Sequence, residues 1–429
     1  MRDSEIGSNH RTLAHWLEHI QHQHPHTIAM GLDRVREVAQ RMRLSRCAKH
    51  VIAVAGTNGK GSTVAFIDAI ARAAGLRVGA YTSPHLLRYN ERVRINGAHA
   101  EDAALVAAFK TVEAARGDTP LTYFEYGTLA ALQLFAQSGL DLAVLEVGLG
   151  GRLDAVNLVD ADAAIVTTVD LDHQQWLGED RESIGREKAG IARAFKPLIL
   201  GDDDPPASVL RHAYAIGANA LRIGCDFFAE RLDDARWRWR DAGVAYDLPL
   251  PQLAAPAQLR NAACAIAALR SLPLPIHAVD YALGVSQARL AGRLQHVRHA
   301  GIDLYFDVGH NPQAARALAQ WLRGEPQQAR TIAVYAALGD KDSAGVAMAL
   351  ADQIDAWLLA GVCEAGPRAQ TADALRQRLP PVIAAGAQAF ACVADALAAA
   401  LAEASTGDRV LVFGSFHAVA EAMRALDVR

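Results

Sequence analysis

The sequence predicts an α/β protein of two domains, each built on a mostly parallel sheet, and two observations support this fold class. Apolar strand-like runs alternate with helical patterns such as 63–74 and 126–138, the strands falling at 51–55, 77–82, 141–147, 163–169 and 196–200. In addition, the stretch "VIAVAGTNGKGST" at 51–63 runs a strand directly into a glycine-rich loop and a helix. Such alternation is typical of a parallel sheet that is covered by helices on both faces.

The pattern changes around residues 225–250, where short polar and aromatic alternation predicts a small antiparallel sheet attached to the first domain. Helical patterns follow at 259–272 and 276–287. A new strand at 302–308 then opens a second, Rossmann-like α/β domain, with further strands near 331–336, 355–360, 387–393 and 409–413. We therefore expect a first domain at 1–295 and a second at 296–429.

Composition excludes several classes of protein. The 429 residues are 51% hydrophobic, which is ample for two cores, and carry a formal net charge of -4 without a basic block. We therefore expect neither nucleic acid nor a membrane surface as a partner. No apolar run has the length of a membrane span, and residues 1–16 lack a signal-peptide core, so we expect a cytoplasmic protein. The five scattered cysteines predict buried free thiols, and no heptad seam calls for more than a monomer.

The loop at 56–62 has the composition of a phosphate-binding site. It lies at a predicted helix N-terminus, where free N–H groups and the helix dipole favour an anion. Gly56, Gly59 and Gly61 allow the backbone to curl around that anion, while Lys60 adds a positive charge. A hydroxyl of Ser62 or the next residue is available to a magnesium ion. The order resembles a phosphate loop (P-loop) with one extra glycine after the lysine, and predicts a nucleoside triphosphate with Mg²⁺ as ligand.

Polar side chains at the ends of two later strands are further candidates. Glu146 closes the buried run "DLAVLE", at a sheet edge where α/β proteins bind ligands, which favours a magnesium ligand over a loop cap. His173 follows the strand "AAIVTTVD", and its local pattern favours a hydrogen-bonding loop residue because Mg²⁺ prefers oxygen ligands. Lys188, in "ESIGREKAGIA", has the local pattern of a solvent-facing helical lysine.

Several strings in this order resemble the folylpolyglutamate synthase and dihydrofolate synthase family, relatives of the Mur ligases. They are "AGTNGKGST" at 55–63, "TSPHLLRYNERVRING" at 82–97, "LTYFEYGTLAAL" at 121–132, "LEVGLGGRLDAVN" at 145–157, "LDHQQWLG" at 171–178, "SIGREKAGI" at 183–191, "AGRLQ" at 291–295 and "FDVGHNP" at 306–312. The strings span nearly the whole chain.

The resemblance implies roles that the local patterns do not. The ATP phosphates would lie on the loop residues Gly56, Thr57, Asn58, Gly59, Lys60, Gly61 and Ser62. Ser83 and Glu146 would bind one Mg²⁺ and His173 a second, supported by a carbamylated Lys188. The further nucleotide contacts would be Asn261, Arg293, Asp307 and His310, the last near the adenine or ribose.

The resemblance also implies a substrate pocket and a reaction. The pterin and aminobenzoate pocket would comprise Thr122, Tyr123, Phe124, Glu125, Leu153, Asp154 and Ala155. The string "TYFEYGT" is similar to that of the bifunctional bacterial branch, which joins L-glutamate to dihydropteroate and to reduced folates through an acyl phosphate. The expected catalytic residues are then Lys60, His173 and Lys188.

Three alternatives stay open at this point. The chain could elongate reduced folates only, or it could be a Mur-type peptide ligase, although only about 50 residues precede the loop where an extra UDP-sugar domain would lie. A nucleotide-hydrolysing switch protein is a different class, and ATP turnover without any need for pterin or glutamate would distinguish it.

Overall fold

Two compact units make up the chain in a computed structural model that describes residues 12–25, 28–325, 330–363 and 365–428. The first comprises residues 1–84, 89–250 and 260–288, and the second comprises 85–88, 251–259 and 289–429. The chain therefore contributes two short earlier segments to the second unit.

The first unit contains an eight-stranded sheet in the order β4-β3-β2-β5-β1-β6-β7-β8. Its strands are β1 His50–Ala55, β2 Val78–Tyr81, β3 Val93–Ile95, β4 Ala98–His99, β5 Leu142–Glu146, β6 Ala163–Val166, β7 Pro197–Leu200 and β8 Asn219–Arg222. The pairs from β2 through β8 are parallel, whereas β3 and β4 add to the edge in antiparallel fashion. Strand β1 is central and buried from Val51 onward, as its apolar β-branched residues predict.

Helices cover this sheet. They are α1 Leu13–Gln21, α2 Asp33–Arg41, α3 Lys60–Ala73, α4 Asp102–Arg116, α5 Tyr123–Gln137, α6 Gln174–Leu177, α7 Arg181–Ala189, α8 Ala207–Ile216, α9 Ala257–Arg270 and α10 Ala278–Gln287. The core that contains Trp16, Phe109 and Phe135 lies between the sheet and the helices of one face. No helix in the described part of the chain is both long enough and apolar enough to cross a bilayer.

The predicted small antiparallel sheet is confirmed. It is three-stranded, in the order β11-β10-β9, with β9 Phe227–Arg231, β10 Arg236–Asp241 and β11 Ala245–Pro249. Trp237 and Trp239 of β10 are both buried, and the indole of Trp239 donates a hydrogen bond to the main-chain oxygen of Ala263 in α9. That contact fastens the small sheet to α9 within the first unit.

The second unit is built on a six-stranded sheet in the order β12-β13-β17-β14-β15-β16. The strands are β12 Gln295–His299, β13 Ile302–Asp307, β14 Thr331–Tyr335, β15 Ala356–Ala360, β16 Gln388–Phe390 and β17 Arg409–Phe413. The helices are α11 Pro312–Gly324, α12 Ser343–Leu350, α13 Ala372–Gln377, α14 Pro381–Ala384, α15 Val393–Glu403 and α16 Phe416–Ala425. All pairs are parallel except β12 with β13, and cores lie on both faces.

The predicted fold class is confirmed, with corrections in detail. The sequence did not reveal β3, β4, β8 and β12, which are short or rich in polar residues. The cysteines are free as predicted, but only Cys47 and Cys264 are buried. Cys225 and Cys363 are exposed because they lie outside the regular strands and helices.

Candidate functional site

The glycine-rich loop joins the end of β1 to the start of α3, as the sequence predicts. Gly59 precedes the helix with φ of 90°, a left-handed conformation that side chains disfavour. The Lys60 ammonium turns back over the loop and donates to the main-chain oxygens of Gly56 at 2.9 Å and Thr57 at 3.3 Å. A full positive charge is therefore held beside the free N–H groups of a helix N-terminus, which is an arrangement suited to phosphate.

Two threonines that the sequence analysis did not single out brace this loop. Thr167 donates to the main-chain oxygen of Asn58 at 2.6 Å, and the Thr168 hydroxyl accepts from the Asn58 N–H at 3.1 Å. The Thr57 N–H donates to the Thr168 carbonyl at 2.8 Å. These residues follow β6, so the end of a neighbouring parallel strand fixes the shape of the loop.

Asn261 of α9 lies directly against the loop. Its side chain is buried, and its Oδ1 lies 2.4 Å from the place where a Cβ atom on Gly59 would stand, too close for such an atom. The structure thus brings Asn261 to the predicted nucleotide loop. Any larger residue at position 59 would displace this amide.

Glu146 and Ser83 also come together, as the resemblance implies. Glu146 ends β5 next to β1, its side chain is buried, and its Oε2 accepts a hydrogen bond from the Ser83 N–H at 3.1 Å. A buried carboxylate needs a cation or hydrogen-bond donors to offset the loss of hydration.

Lys188 is buried rather than solvent-facing, with 4% of its surface exposed, so the interpretation from its local pattern is wrong. Burial, and after it the positive charge of Lys60, lower the pKa of the Lys188 amine to about 7, while Asp172 and Asp154 act in the opposite direction. The helix pattern failed here because tertiary packing decides burial, and the loop at 150–152 packs against the main chain of Glu187 and Lys188. The amine is therefore partly neutral at physiological pH.

Asp154 is a second buried ionisable group in the same electrostatic environment. Its carboxylate accepts hydrogen bonds from the N–H groups of Leu149 and Val156, both at 2.9 Å. Burial raises the pKa of Asp154 to about 7, although these hydrogen bonds and the charge of Lys60 oppose the rise. Leu153 and Ala155 flank it, the first half-buried and the second buried.

His173 lies in the loop after β6, just before α6, and adopts a left-handed conformation with φ of 52°. Its ring Nε2 lies 3.9 Å from the Asp172 carboxylate, and its main-chain N–H donates to the same carboxylate at 2.9 Å. The imidazole is part-exposed and so remains accessible to a ligand.

Thr122 and Glu125, predicted as substrate contacts, bind each other. The Thr122 hydroxyl accepts from the Glu125 N–H at 3.2 Å, and the Glu125 carboxylate accepts from the Thr122 N–H at 2.8 Å, which caps α5. Arg34 donates to the other Glu125 oxygen at 2.9 Å and to the Ala29 carbonyl at 3.0 Å. The spacing T-x-x-E is the signal in the sequence that would have revealed this cap.

The two aromatic residues between them, Tyr123 and Phe124, pack against neighbouring residues. Tyr123 packs edge-on against Tyr89 at 5.9 Å between ring centroids, and the Phe124 ring lies against Gly148, where a Cβ atom would come within 2.7 Å. Both side chains are half-buried. The apolar part of the predicted pocket is therefore adjacent to the loop that follows Glu146.

In the second unit, Asp307 ends β13 and binds the backbone on both sides. Its two oxygens accept from the N–H groups of Leu294 at 3.0 Å and Gly309 at 2.7 Å. Burial raises the pKa of Asp307, opposed by the charge of Arg293. His310 Nδ1 bonds the Val308 carbonyl at 2.9 Å. These residues, predicted as nucleotide contacts, thus form one cluster at a strand end.

The few possible metal ligands near the loop suit Mg²⁺ better than a metal ion whose ligands all come from the protein. Within the described residues, no group of three or more His, Cys, Asp or Glu side chains forms a metal-holding cluster. Mg²⁺ retains several waters and is commonly held by one or two carboxylates together with substrate phosphates. The Glu146 carboxylate and the Ser83 hydroxyl are oxygen donors of the kind that this mode uses.

Comparison with known proteins agrees with this geometry. Two family models match the chain, the Mur ligase middle domain over residues 54–269 and the Mur ligase, glutamate ligase domain over residues 292–416. The fold and the loop therefore define a ligase of the Mur type.

The relatives narrow the family further. The dihydrofolate synthase/folylpolyglutamate synthase of Escherichia coli (strain K12) is 46% identical over 418 residues, which cover 97% of this chain and 96% of that protein. The protein of the same name from Haemophilus influenzae is 39% identical over 430 residues, with 95% and 96% covered. This chain belongs to the dihydrofolate synthase/folylpolyglutamate synthase family, so the resemblance seen in the sequence is confirmed.

Solved structures of the family share the whole architecture. E. coli FolC in complex with DHPP and ADP superposes with a TM-score of 0.92 at 45% identity, covering 97% of this chain and 98% of the other. A bifunctional folylpolyglutamate synthase/dihydrofolate synthase with Mn, AMPPNP and L-glutamate bound gives a TM-score of 0.89 at 44% identity, with 97% and 98% covered.

Proposed function

We propose that this enzyme uses ATP to join L-glutamate to dihydropteroate, forming dihydrofolate, and to reduced folates, extending their glutamate chains. The observation that carries the proposal is the cluster at one sheet edge, where the Lys60 loop, the Ser83–Glu146 pair and the buried Lys188 belong to a single unit. The family relationship, and relatives solved with DHPP, ADP and L-glutamate, support the substrates.

The reaction requires activation of a carboxylate, because a carboxylate and an amine do not form an amide in water unaided. A carboxylate oxygen of the pterin substrate attacks the γ-phosphorus of ATP, and ADP leaves with the electrons of the broken P–O bond. The amine of L-glutamate then attacks the acyl carbon and loses a proton, and inorganic phosphate leaves. No nucleophile on the protein is needed, so the residues act by positioning and by neutralising charge.

Lys60 and the loop residues Gly56 to Ser62 bind the phosphates in this proposal. The ammonium already points over the loop, where it offsets the negative charge of the transferring phosphoryl group. Asn261, Arg293, Asp307 and His310 contact the rest of the nucleotide. The support for Asn261 is its contact with Gly59, and the support for the others is their cluster at the end of β13.

Two magnesium sites complete the proposal, the first held by Ser83 and Glu146 and the second by His173. Bound Mg²⁺ would neutralise charge on the phosphates. Lys188 would be carbamylated: its neutral amine attacks the carbon of CO₂ and loses a proton, which converts a cation into an anion able to support the second metal. A buried amine with a pKa of about 7 supports this modification, because a fully protonated lysine cannot attack CO₂.

The pterin and aminobenzoate groups would bind Tyr123, Phe124, Leu153, Asp154 and Ala155. Thr122 and Glu125 would shape this pocket through their cap on α5. We also propose a cytoplasmic monomer. All five cysteines are free, which suits a reducing compartment.

The test is phosphate release from ATP and Mg²⁺ in the presence of L-glutamate, with dihydropteroate in one series and tetrahydrofolate in another. We expect release in both series, and only when the pterin and glutamate are both present. Release with tetrahydrofolate alone restricts the enzyme to chain extension. Release that needs neither substrate contradicts the ligase and favours a nucleotide-hydrolysing switch. Release only in a third series, which contains a UDP-linked peptide, favours a Mur-type peptide ligase.

A further inference from the structure

Arg152 and Glu187 join the loop after β5 to helix α7 by three hydrogen bonds. The Arg152 Nε and Nη2 donate to Glu187 Oε1 at 3.0 and 2.9 Å, and the Arg152 N–H donates to the Glu187 main-chain oxygen at 2.8 Å. Side chain and backbone therefore hold the same two residues together. Nothing in the local sequence predicts the contact, since 35 positions separate the two residues.

Close backbone packing surrounds this pair. A Cβ atom on Gly151 would lie 2.8 Å from the Glu187 carbonyl, and one on Gly190 would overlap the Arg152 Cβ. Asn157 bridges the same two segments, because its amide donates to the carbonyls of Arg152 at 3.0 Å and Gly190 at 3.1 Å. Main-chain and side-chain contacts thus hold the loop against the end of α7.

The pair lies between two parts of the proposed site. Leu153, Asp154 and Ala155 follow Arg152 directly, and Lys188 follows Glu187. Glu187 turns toward the half-exposed Arg152, while Lys188 turns into the interior. A displacement of the loop from the helix would therefore displace the pterin residues relative to the lysine.

The two side chains of this ion pair are unequally exposed. The Arg152 side chain is 52% exposed, whereas that of Glu187 is 17% exposed. The Glu187 carboxylate depends strongly on this arginine, because its Oε2 is buried without a hydrogen-bond partner among the described residues. Removal of Arg152 would leave a mostly buried carboxylate uncompensated.

We infer that Arg152 and Glu187 are positioning residues, which set the pterin-binding loop at a fixed place relative to Lys188. The inference rests on the proposed function, since it takes Leu153, Asp154 and Ala155 as pterin contacts. It assigns no chemical step to either residue. Their effect is on the binding of the pterin substrate, not on that of ATP.

The test is a double-mutant cycle with Arg152→Ala, Glu187→Ala and the double variant. We expect each single variant to raise KM for dihydropteroate about tenfold, which is the loss of roughly one charge-assisted hydrogen bond, while KM for ATP changes less than about twofold. The double variant should be no worse than either single one, because the two residues act through each other. Arg152→Lys, which keeps the charge and one hydrogen bond, should fall between Arg152→Ala and the wild type.

Arg211→Ala is the matched control. Arg211 forms an exposed ion pair at 3.1 Å with Glu182, which lies in the first turn of α7. The substitution should leave both KM values unchanged. Additive effects in the cycle, or equal rises in KM for dihydropteroate and ATP, overturn the inference. A wild-type enzyme without pterin-dependent turnover overturns the proposed function instead, so the two failures are distinguishable. Far-UV circular dichroism of every variant shows whether each is folded.

Discussion

Burial and the neighbouring positive charge of Lys60 together lower the pKa of Lys188 to about 7, from an ordinary value of 10.5. The folded protein therefore keeps in its interior an amine that readily loses its proton. Such an arrangement weakens folding, and a carbamylated lysine is the use that we propose for it.

Lys188→Met should raise stability and abolish ligation. The unfolded chain binds a proton at Lys188 up to about pH 10.5, whereas the folded chain binds it only below about pH 7. The wild-type penalty is therefore full below pH 7 and fades as the pH rises toward 10.5. In CO₂-free buffer we expect the variant to gain about 2–4 kcal/mol at pH 6 and much less at pH 10, measured by urea unfolding. An equal gain in stability over the wild type at both pH values, or retained ligase activity, would contradict the account.

Lys60→Ala should disable the use of ATP while leaving the fold intact. The ammonium donates to main-chain oxygens of the loop at the distances given above, so we expect its removal to take away charge more than packing. We expect kcat/KM for ATP to fall by about 10³-fold, which is typical of lost phosphate contacts. Lys49→Ala is the control, since Lys49 precedes β1 and forms an exposed pair with Asp141. A comparable loss in that control would show that general charge, not position, matters.

Gly59→Ala should weaken ATP binding by more than the backbone strain of an alanine in a left-handed conformation would. Gly59 and Gly75 both have positive φ, of 90° and 77°, but only Gly59 has Asn261 in the place of a Cβ atom. We expect Gly75→Ala to cost about 1–2 kcal/mol of stability without affecting KM for ATP. Gly59→Ala should cost more and raise KM for ATP at least tenfold. Calorimetric titration with ADP measures the binding difference directly, and equal ADP affinity in the two variants would refute the role given to the Gly59–Asn261 contact.

Thr122→Ala should affect both stability and pterin binding. Loss of an N-cap threonine costs about 1 kcal/mol, and the same cap orients the first turn of α5, which carries Tyr123 and Phe124. We therefore expect a higher KM for dihydropteroate together with a lower thermal midpoint. Thr371 caps α13 in the second unit with a similar bond to Ala374 at 3.2 Å, so Thr371→Ala should lower stability alone. If the two variants behave alike in substrate kinetics, the Thr122 cap has no part in the pocket.

The sequence predicted the parts of the fold that follow from local periodicity. Strand β1, the loop to Lys60 and the strand ending at Glu146 were predictable because buried parallel strands are continuous apolar runs and the loop needs glycines. Strands β3, β4 and β12 were not, because two to five residues with mixed polarity give no distinct period.

The sequence predicted the candidate site only where its residues belong to a recognisable motif, and not where residues far apart in the chain come into contact. Lys188 is buried although the pattern of its helix gives no sign of it, and the brace at Thr167 depends on the pairing of β1 with β6. The capping of α5 by Thr122 and Glu125 is the exception, since its spacing was visible and its meaning was missed. The other contacts at the site form between residues that are far apart in the sequence.

The most direct test of the central claim is the product itself. The enzyme is incubated with ATP, Mg²⁺ and ¹⁵N-labelled L-glutamate, with either dihydropteroate or tetrahydrofolate, and the pterin is analysed by mass spectrometry. The account predicts that both acceptors gain one labelled glutamyl residue and that each gain is matched by one ADP. ATP hydrolysis with no labelled glutamate in either pterin would contradict it.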